Sequence, residues 1–325
     1  MADNKDASTG HTKEKTFRAY TNEQGATYSQ VRPGYHPNLF KRVLDHHVST
    51  GGQLGTLIDV GCGPGTATRP LAAHFTHAFG LDPSEGMICT ARQNGGTSSS
   101  GEPIQFECSA AEDLAAGQNL IPDGTADLIV AATAAHWFDI AKFWPRAAEI
   151  LRPGGTVAFW TTSAMEAHPS VPNAEKINAA MAELRERELK PYIENGNRIN
   201  RSLYTEMFPL PWECDPPVSE FEQSTFFRKE WGTPNNDDAE VQGGELFIHG
   251  QRELSLDLIE KMLVTGSPIH RWQQANPDKV GTDQDIVKLM VNQIAKLLQE
   301  AGVPPEKATL KGSICGVLIM VKKKA

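Results

Sequence analysis

The chain has 325 residues, with 31 Lys and Arg against 40 Asp and Glu, for a formal charge of −9. A hydrophobic fraction of 39%, with 13 Phe, 6 Trp and 5 Tyr, supplies a full core and excludes a disordered chain. The acidic balance, pI about 5.6, lacks the Lys/Arg excess that phosphate neutralisation needs, so no nucleic-acid partner is expected.

Residues 1–16 are polar and read as a disordered tail without an apolar targeting segment. Residues 17–48 read as N-terminal cap helices, with Leu39, Phe40, Val43 and Leu44 at helical spacing over 37–47. A buried strand over 56–60 precedes a helix over 67–75, a strand over 78–81 and a helix over 84–93 with Ser84 as N-cap. The glycine- and serine-rich run 94–103 is a loop, followed by strands over 104–108 and 126–132. A helix over 140–151 is closed by Pro153-Gly154-Gly155 before a strand over 156–161. Strands apolar on both faces, alternating with helices, predict a doubly wound parallel α/β sheet over roughly 50–162.

Beyond 162 the alternation stops. Helices are predicted over 174–190, 198–207, 255–263 and 283–299, a proline-rich connector over 209–217, and strands over 221–231, 245–253 and 312–323. No apolar run approaches the roughly 20 residues of a bilayer-spanning helix, so no membrane association is expected. Five scattered cysteines without a CxxC pair predict reduced thiols, no zinc or other metal site and a cytoplasmic protein.

The central motif is Leu57-Ile58-Asp59-Val60-Gly61-Cys62-Gly63-Pro64-Gly65-Thr66, a strand running through a glycine turn into a helix. Glycines belong there because the backbone must bend sharply and approach a ligand closely. The spacing is GxGxG rather than the GxGxxG of dinucleotide sites, which argues against an NAD(P)-dependent enzyme. Asp59, two residues before Gly61, would repel a pyrophosphate but suits a ligand with an ammonium group. Asp82, at the end of the next strand, is placed to bind both hydroxyls of a ribose. A positive, phosphate-free nucleoside ligand answers this description, and S-adenosyl-L-methionine is one.

With Asp59–Thr68, Ala135-His136-Trp137-Phe138-Asp139, Leu151-Arg152-Pro153-Gly154-Gly155 and Tyr28…Arg32-Pro33-Gly34-Tyr35-His36-Pro37, the sequence resembles class I S-adenosylmethionine-dependent methyltransferases. More narrowly it resembles the fungal trans-aconitate 3-methyltransferase-like small-molecule methyltransferases. The cofactor motifs span residues 28–160. The resemblance implies a Rossmann-like doubly wound seven-stranded sheet with a mainly helical substrate lid. Residues 49–162, about 219–231 and 312–325 would form the core, and 163–218 and 232–311 the substrate-binding insertions. It places Gly61, Gly63 and Gly65 against the methionine part and Asp82 on the ribose. Met87 falls against adenine, as do Ala111 and Glu112 in the stretch 109–113, where Ala110 replaces the family's frequent Asp. Ala132 lies at the end of its strand, and Tyr28 and Arg32 would close over the carboxylate of the cofactor.

The acceptor is expected to be a small molecule, most directly a carboxylate of an organic acid or fungal metabolite. Already ionised at pH 7, a carboxylate needs no general base. A phenol or alcohol acceptor would need one, and His136 is the candidate, with Trp137 and Phe138 walling the pocket. Tyr192, Arg198, Arg201, His270, Arg271 and Trp272 are the candidate acceptor-binding residues of the lid. The charged run 183–190 reads as an exposed helix face. A protein that binds the cofactor without transferring methyl, and a macromolecular methyltransferase, are the competing readings, the second disfavoured by the charge.

Overall fold

A computed structural model describes residues 14–32, 34–114, 116, 120–232 and 253–325. Strands β1 (Thr56–Val60), β2 (His77–Asp82), β3 (Gln105–Cys108), β4 (Ala126–Ala132) and β5 (Leu151–Thr162) run parallel. Two further strands, β7 (Phe221–Trp231) and β10 (Gly316–Lys323), complete a seven-stranded sheet in the order β3-β2-β1-β4-β5-β10-β7, with β10 antiparallel to both neighbours. The predicted Rossmann-like α/β architecture is therefore present.

The period of two divides each central strand between two apolar layers. Ile58, Val60, Ile129 and Phe159 pack with Phe143 and Trp144 of α5 (Ile140–Ile150). Leu57, Leu128, Val130 and Trp160 pack with Leu39 and Val43 of α2 (Pro37–Ser49) and Leu71 of α3 (Thr68–Ala72) on the opposite face. The chain order reverses between β1 and β4, and at such a switch point the loops part to leave a crevice beyond the carboxyl ends of the strands.

A second, antiparallel sheet of β6 (Glu166–Ala167), β9 (Thr309–Ser313) and β8 (Glu253–Ser255) lies within the insertions. With α6 (Ala174–Leu184), α8 (Leu256–Val264), α9 (Ser267–Ala275) and α10 (Ile286–Glu300), it surrounds an apolar cluster of its own, including Ile177, Met181, Ile259, Trp272 and Met290. The insertion is thus more than a helical lid; it has a core. Tyr204, Phe208, Cys214 and Val218, by contrast, join the sheet's own cluster, so the later part of 163–218 packs on the main core.

Several expected boundaries move. The helix expected over 174–190 ends at Leu184 and widens into a π-helical turn, Arg185–Leu189. The helix expected over 198–207 is α7 (Asn195–Arg201), because Leu203, Tyr204 and Met207 adopt positive φ angles of 52°, 62° and 52°. Helix α9 was not foreseen, and the closing strand divides into β9 and β10, which serve different sheets. The strand expected over 245–253 lies outside the described residues apart from Glu253, which opens β8. Of the expected tail, residues 1–13 lie outside the described residues. Residues 14–16 are packed, with Glu14 accepting from the Phe17 amide at 3.1 Å. Among the described residues no helix is long and apolar enough to cross a membrane, and none of the five cysteines is in a disulfide.

Helix α1 (Asn22–Val31), begun by a Thr21–Gln24 capping box, crosses α4 (Glu85–Asn94) at a contact of small residues. A Cβ on Gly86 would lie 2.2 Å from the Tyr20 carbonyl oxygen and 2.7 Å from that of Thr21. Backbone cannot yield as a side chain does, so Gly86→Ala is expected to destabilise the fold by about 1–3 kcal/mol. It should also accelerate chymotryptic cleavage around residues 17–20. Urea denaturation and timed proteolysis check this, and wild-type values in both would contradict it.

Candidate active site

The turn after β1 is built by three glycines in the left-handed region, Gly61, Gly63 and Gly65 (φ +66°, +53° and +82°). Its amides are tied to the end of β2. Those of Gly61 and Cys62 donate to the Leu81 carbonyl at 2.7 and 3.0 Å, and that of Gly63 donates to Asp82 Oδ2 at 2.9 Å. Asp82 Oδ1 accepts from the Ser84 amide at 2.9 Å, at the start of α4. The carboxylate is thereby oriented before any ligand arrives. Burial pushes its acid up to about 6, against the pull of the Ser84 and Gly63 amides.

The three glycines do different work. A Cβ on Gly61 would meet that of Ala134 at 2.5 Å, so this residue lets the loop after β4 close in. A Cβ on Gly63 would point into open space at the cavity wall, where a ligand can approach the backbone. Gly65 is not on the wall; its Cβ would crowd Arg69 Nη1 at 2.6 Å and the Phe106 ring at 3.0 Å, so it serves packing. Asp59 is also displaced from its expected place. It is fully buried beneath the turn, where Oδ2 accepts from Thr68 Oγ1 at 2.6 Å and Oδ1 has no partner. Burial raises its acid to about 7, partly offset by the Thr68 hydrogen bond. It supports the loop from behind and does not face a ligand ammonium group.

A cavity of about 460 Å³ opens on this turn and extends to the insertion. Tyr28, Arg32, Gly61, Gly63, Asp82, Met87, Ala111, Glu112, Ala132, His136, Trp137, Phe138 and Arg201 all line it. Arg32 reaches the insertion, with Nε donating to Thr265 Oγ1 at 2.8 Å and its guanidinium 5.4 Å from the centre of the Tyr28 ring. Glu112 Oε1 accepts from the Asp139 amide at 2.7 Å. Trp137 is held edge-on by Phe17 at 6.1 Å and backed by Gly196 of α7, where a Cβ would clash with the indole at 2.2 Å.

His136, in the turn Ala135–Trp137 after β4, is only 7% exposed, and its Nδ1 is buried without a hydrogen-bond partner. Burial drives its imidazole down to about 3, so it is neutral at physiological pH. Among the described residues no carboxylate orients it.

Five expected acceptor residues lie off the wall. Trp272 is buried in the insertion core. The Tyr192 hydroxyl accepts from Asn276 Nδ2 at 3.3 Å. Arg198 is exposed at the surface, and His270 packs on Tyr20 at 5.6 Å. Arg271 too is committed inside the protein. It donates to the Tyr192 carbonyl at 2.9 Å, Asn197 Oδ1 at 2.6 Å, Glu194 Oε2 at 3.1 Å and Thr16 Oγ1 at 2.9 Å. The cavity instead recruits Tyr35, Thr133, Asn197, Asn200 and Arg185. Tyr35 donates to Thr133 Oγ1 at 3.2 Å, and Thr133 sits at a positive φ of 56° just beyond β4. Tyr35 stands inside the quoted N-terminal motif and was legible there; Arg185, within a helical charge run, carried no such signal.

Residues 58–159 match the methyltransferase domain family. A probable S-adenosylmethionine-dependent methyltransferase of Saccharomyces cerevisiae is 32% identical over 146 residues, 45% of this chain and 48% of that protein. A methyltransferase of Aspergillus candidus is 31% identical over 153 residues, 47% of this chain and 46% of that one. The chain thus spans about half the length of the curated relatives it matches. A solved structure from Anaeromyxobacter dehalogenans, presented as a candidate type II methyltransferase, superposes with a TM-score of 0.55 at 20% identity, covering 90% of this chain and 97% of that one, a likeness of fold. The chain thus carries a methyltransferase domain over residues 58–159, set in a seven-stranded Rossmann-like α/β sheet.

Proposed function

We propose that the protein methylates an oxygen of a small molecule, most directly a carboxylate. The carrying observation is that one cavity joins the glycine turn and Asp82 at one end to His136, Trp137 and the insertion at the other. A cavity of about 460 Å³ lined in part by the insertion suits a compact acceptor.

The floor fits S-adenosylmethionine. A pre-oriented, buried carboxylate at Asp82 would hold the ribose hydroxyls, and the open backbone at Gly63 would admit the methionine part beside Gly61. Met87, Ala111 and Ala132 would wall the adenine end, with Glu112 beside them. Arg32, over Tyr28, would meet the carboxylate of the methionine part. When bound, the cofactor supplies an electrophilic methyl group on a positive sulfur. The chain's own contribution is to align the acceptor and exclude water, with Trp137 and Phe138 as apolar walls.

The carboxylate reading is supported by His136. Its imidazole is pushed to about 3 and has no carboxylate among the described residues to orient it, so it is poorly built to take a proton from a phenol or alcohol. A carboxylate needs no such step. The hydroxyl reading has one observation in its favour, the unpartnered Nδ1 close to the wall.

Methyl-labelled cofactor with small acids and phenols of matched size tests the proposal. Label in base-labile esters, with release of S-adenosylhomocysteine, is expected. Label only in ethers would favour the hydroxyl reading, and binding without turnover across the panel would overturn methyl transfer. His136→Ala is expected to lower kcat by less than about tenfold with a flat pH profile; a loss of about 100-fold that follows a titration would make it the base.

Asp82→Ala is expected to weaken cofactor binding at least about tenfold by calorimetric titration. Asp59→Asn, which leaves the wall intact, should stay within about threefold. Its effect is on stability. With an acid raised to about 7, native Asp59 holds more protons than the unfolded chain between about pH 4 and 7, so wild-type stability falls as pH rises through that window. Asp59→Asn should flatten that fall, by up to about 4 kcal/mol, in urea midpoints measured from pH 4.5 to 8. An unchanged slope would remove Asp59 as its source.

A further inference from the structure

The insertion's apolar core does not close on itself. Leu189, Ile259, Ile269 and Met290 belong to that buried cluster, Met165 and Leu263 pack against it, and all six line the cavity. They come from five segments: the residue before β6, the π-helical turn, α8, α9 and α10. On α8, Ile259 and Leu263 stand one turn apart and so share a face. The side-chain amides on the same side are committed to the protein. Asn197 donates to Ser267 Oγ at 3.0 Å and accepts from Arg271, and Asn200 donates to the Thr162 carbonyl at 3.2 Å. The charged groups that the insertion brings to the wall, among the described residues, are Arg185 and Arg201, and Arg201 is exposed to solvent. Apolar side chains that belong to one core and face a cavity are stabilised by meeting a further apolar surface there. Met165 and Met290, unbranched and polarizable, adapt to its shape.

We infer that the insertion end of the cavity is a binding site for a hydrocarbon segment of the acceptor, and that the bound acceptor completes the insertion's core. This rests on the proposed small-molecule reading and deepens it: the acceptor is an amphiphile, a reactive oxygen group carried on an aliphatic or alicyclic body, rather than a polyacid. A second carboxylate laid against Ile259, Ile269 and Met290 would lose its water and gain no donor from them. The hydrocarbon segment is remote from the reacting oxygen and is held equally in the ground and transition states. It therefore lowers KM and leaves kcat unchanged. Helices α8, α9 and α10 share the core that the ligand joins, so occupancy also steadies the insertion.

The test titrates butanoate, hexanoate, octanoate and decanoate by calorimetry into the full chain saturated with S-adenosylhomocysteine. Affinity should rise about threefold to fourfold per added methylene, the transfer preference of one buried methylene, until the cavity is filled. Suberate, which is octanoate with a second carboxylate at its far end, should bind at least about tenfold more weakly than octanoate. Leu263→Gln and Met165→Gln should each weaken octanoate at least about fivefold while butanoate stays within about twofold and cofactor affinity is unchanged. Leu263→Met should keep octanoate within about threefold. Hydrogen exchange reads the core: octanoate should slow the amides of α8 and α10 at least about threefold more than butanoate at equal occupancy, with β1 and β2 alike in both. An affinity that does not rise with chain length would overturn the inference. So would suberate binding as tightly as octanoate, or an unchanged profile in Leu263→Gln, and equal exchange protection by butanoate would overturn completion of the core. The underlying reading fails differently: label transferred to octanol and not to octanoate, with the chain-length dependence intact, would refute carboxylate methylation and leave the apolar site standing.

Discussion

Three amides of the loop after β1 converge on the end of β2, two on the Leu81 carbonyl and one on the Asp82 carboxylate. Parallel strands end with backbone donors and acceptors that the sheet cannot satisfy, and this loop satisfies them by bending back within five residues. Only residues without a Cβ pass through the left-handed region so often in so short a stretch. The same bend aims the carboxylate of Asp82, opens the backbone at Gly63 and leaves Gly61 small enough for the loop bearing Thr133, Ala134 and His136 to approach. The floor of the cavity and one of its walls follow from that single joint.

Electrostatically the cavity is unlike the surface around it. The chain is acidic overall, yet the insertion end of the cavity presents Arg185 and Arg201 while the floor presents Asp82. Burial raises the acids of Asp59 and Asp82 and suppresses protonation of His136. The result is a pocket in which charges of both signs, Asp82 and Glu112 with Arg32, Arg185 and Arg201, surround a neutral His136 and the aromatic Trp137 and Phe138. In a partly dry site such charges orient a ligand more strongly than they would in water.

The insertion is tied to the cofactor half by side chains that cross between distant segments. Arg271 joins the N-terminal segment at Thr16 to Glu194 and Asn197, while Arg32 reaches Thr265. Gly196 lies against Trp137, so α7 seats the aromatic wall and carries Arg201 on the same helix. The two halves of the pocket are therefore not independent, and a shift of α7 moves both its aromatic wall and Arg201.

Periodicity and turn chemistry made the sheet legible from β1 to β5, because each strand is short, apolar on both faces and bounded by glycine or proline. The residues of the glycine turn, Asp82 and the segment His136–Phe138 were legible for the same local reason, since strand ends and the loops after them carry the crevice, whereas Met87, inside α4, came only from the family resemblance. What local pattern could not reveal was which of several arginines points inward. Arg185 and Arg198 sit in similarly charged surroundings, yet one lines the cavity while the other is exposed. The difference arises from a widened helical turn and from three positive φ angles after α7, which long-range packing imposes against local propensity. Asp59 makes the same point at the heart of the motif: its position in the strand was evident, but whether its carboxylate met the ligand or Thr68 depended on how α3 packs back across the turn. The sequence alone therefore determined the sheet and the chemistry of its loops, through short-range pattern. Tertiary packing alone decided which side chains share the cavity, because that depends on contacts between residues far apart along the chain.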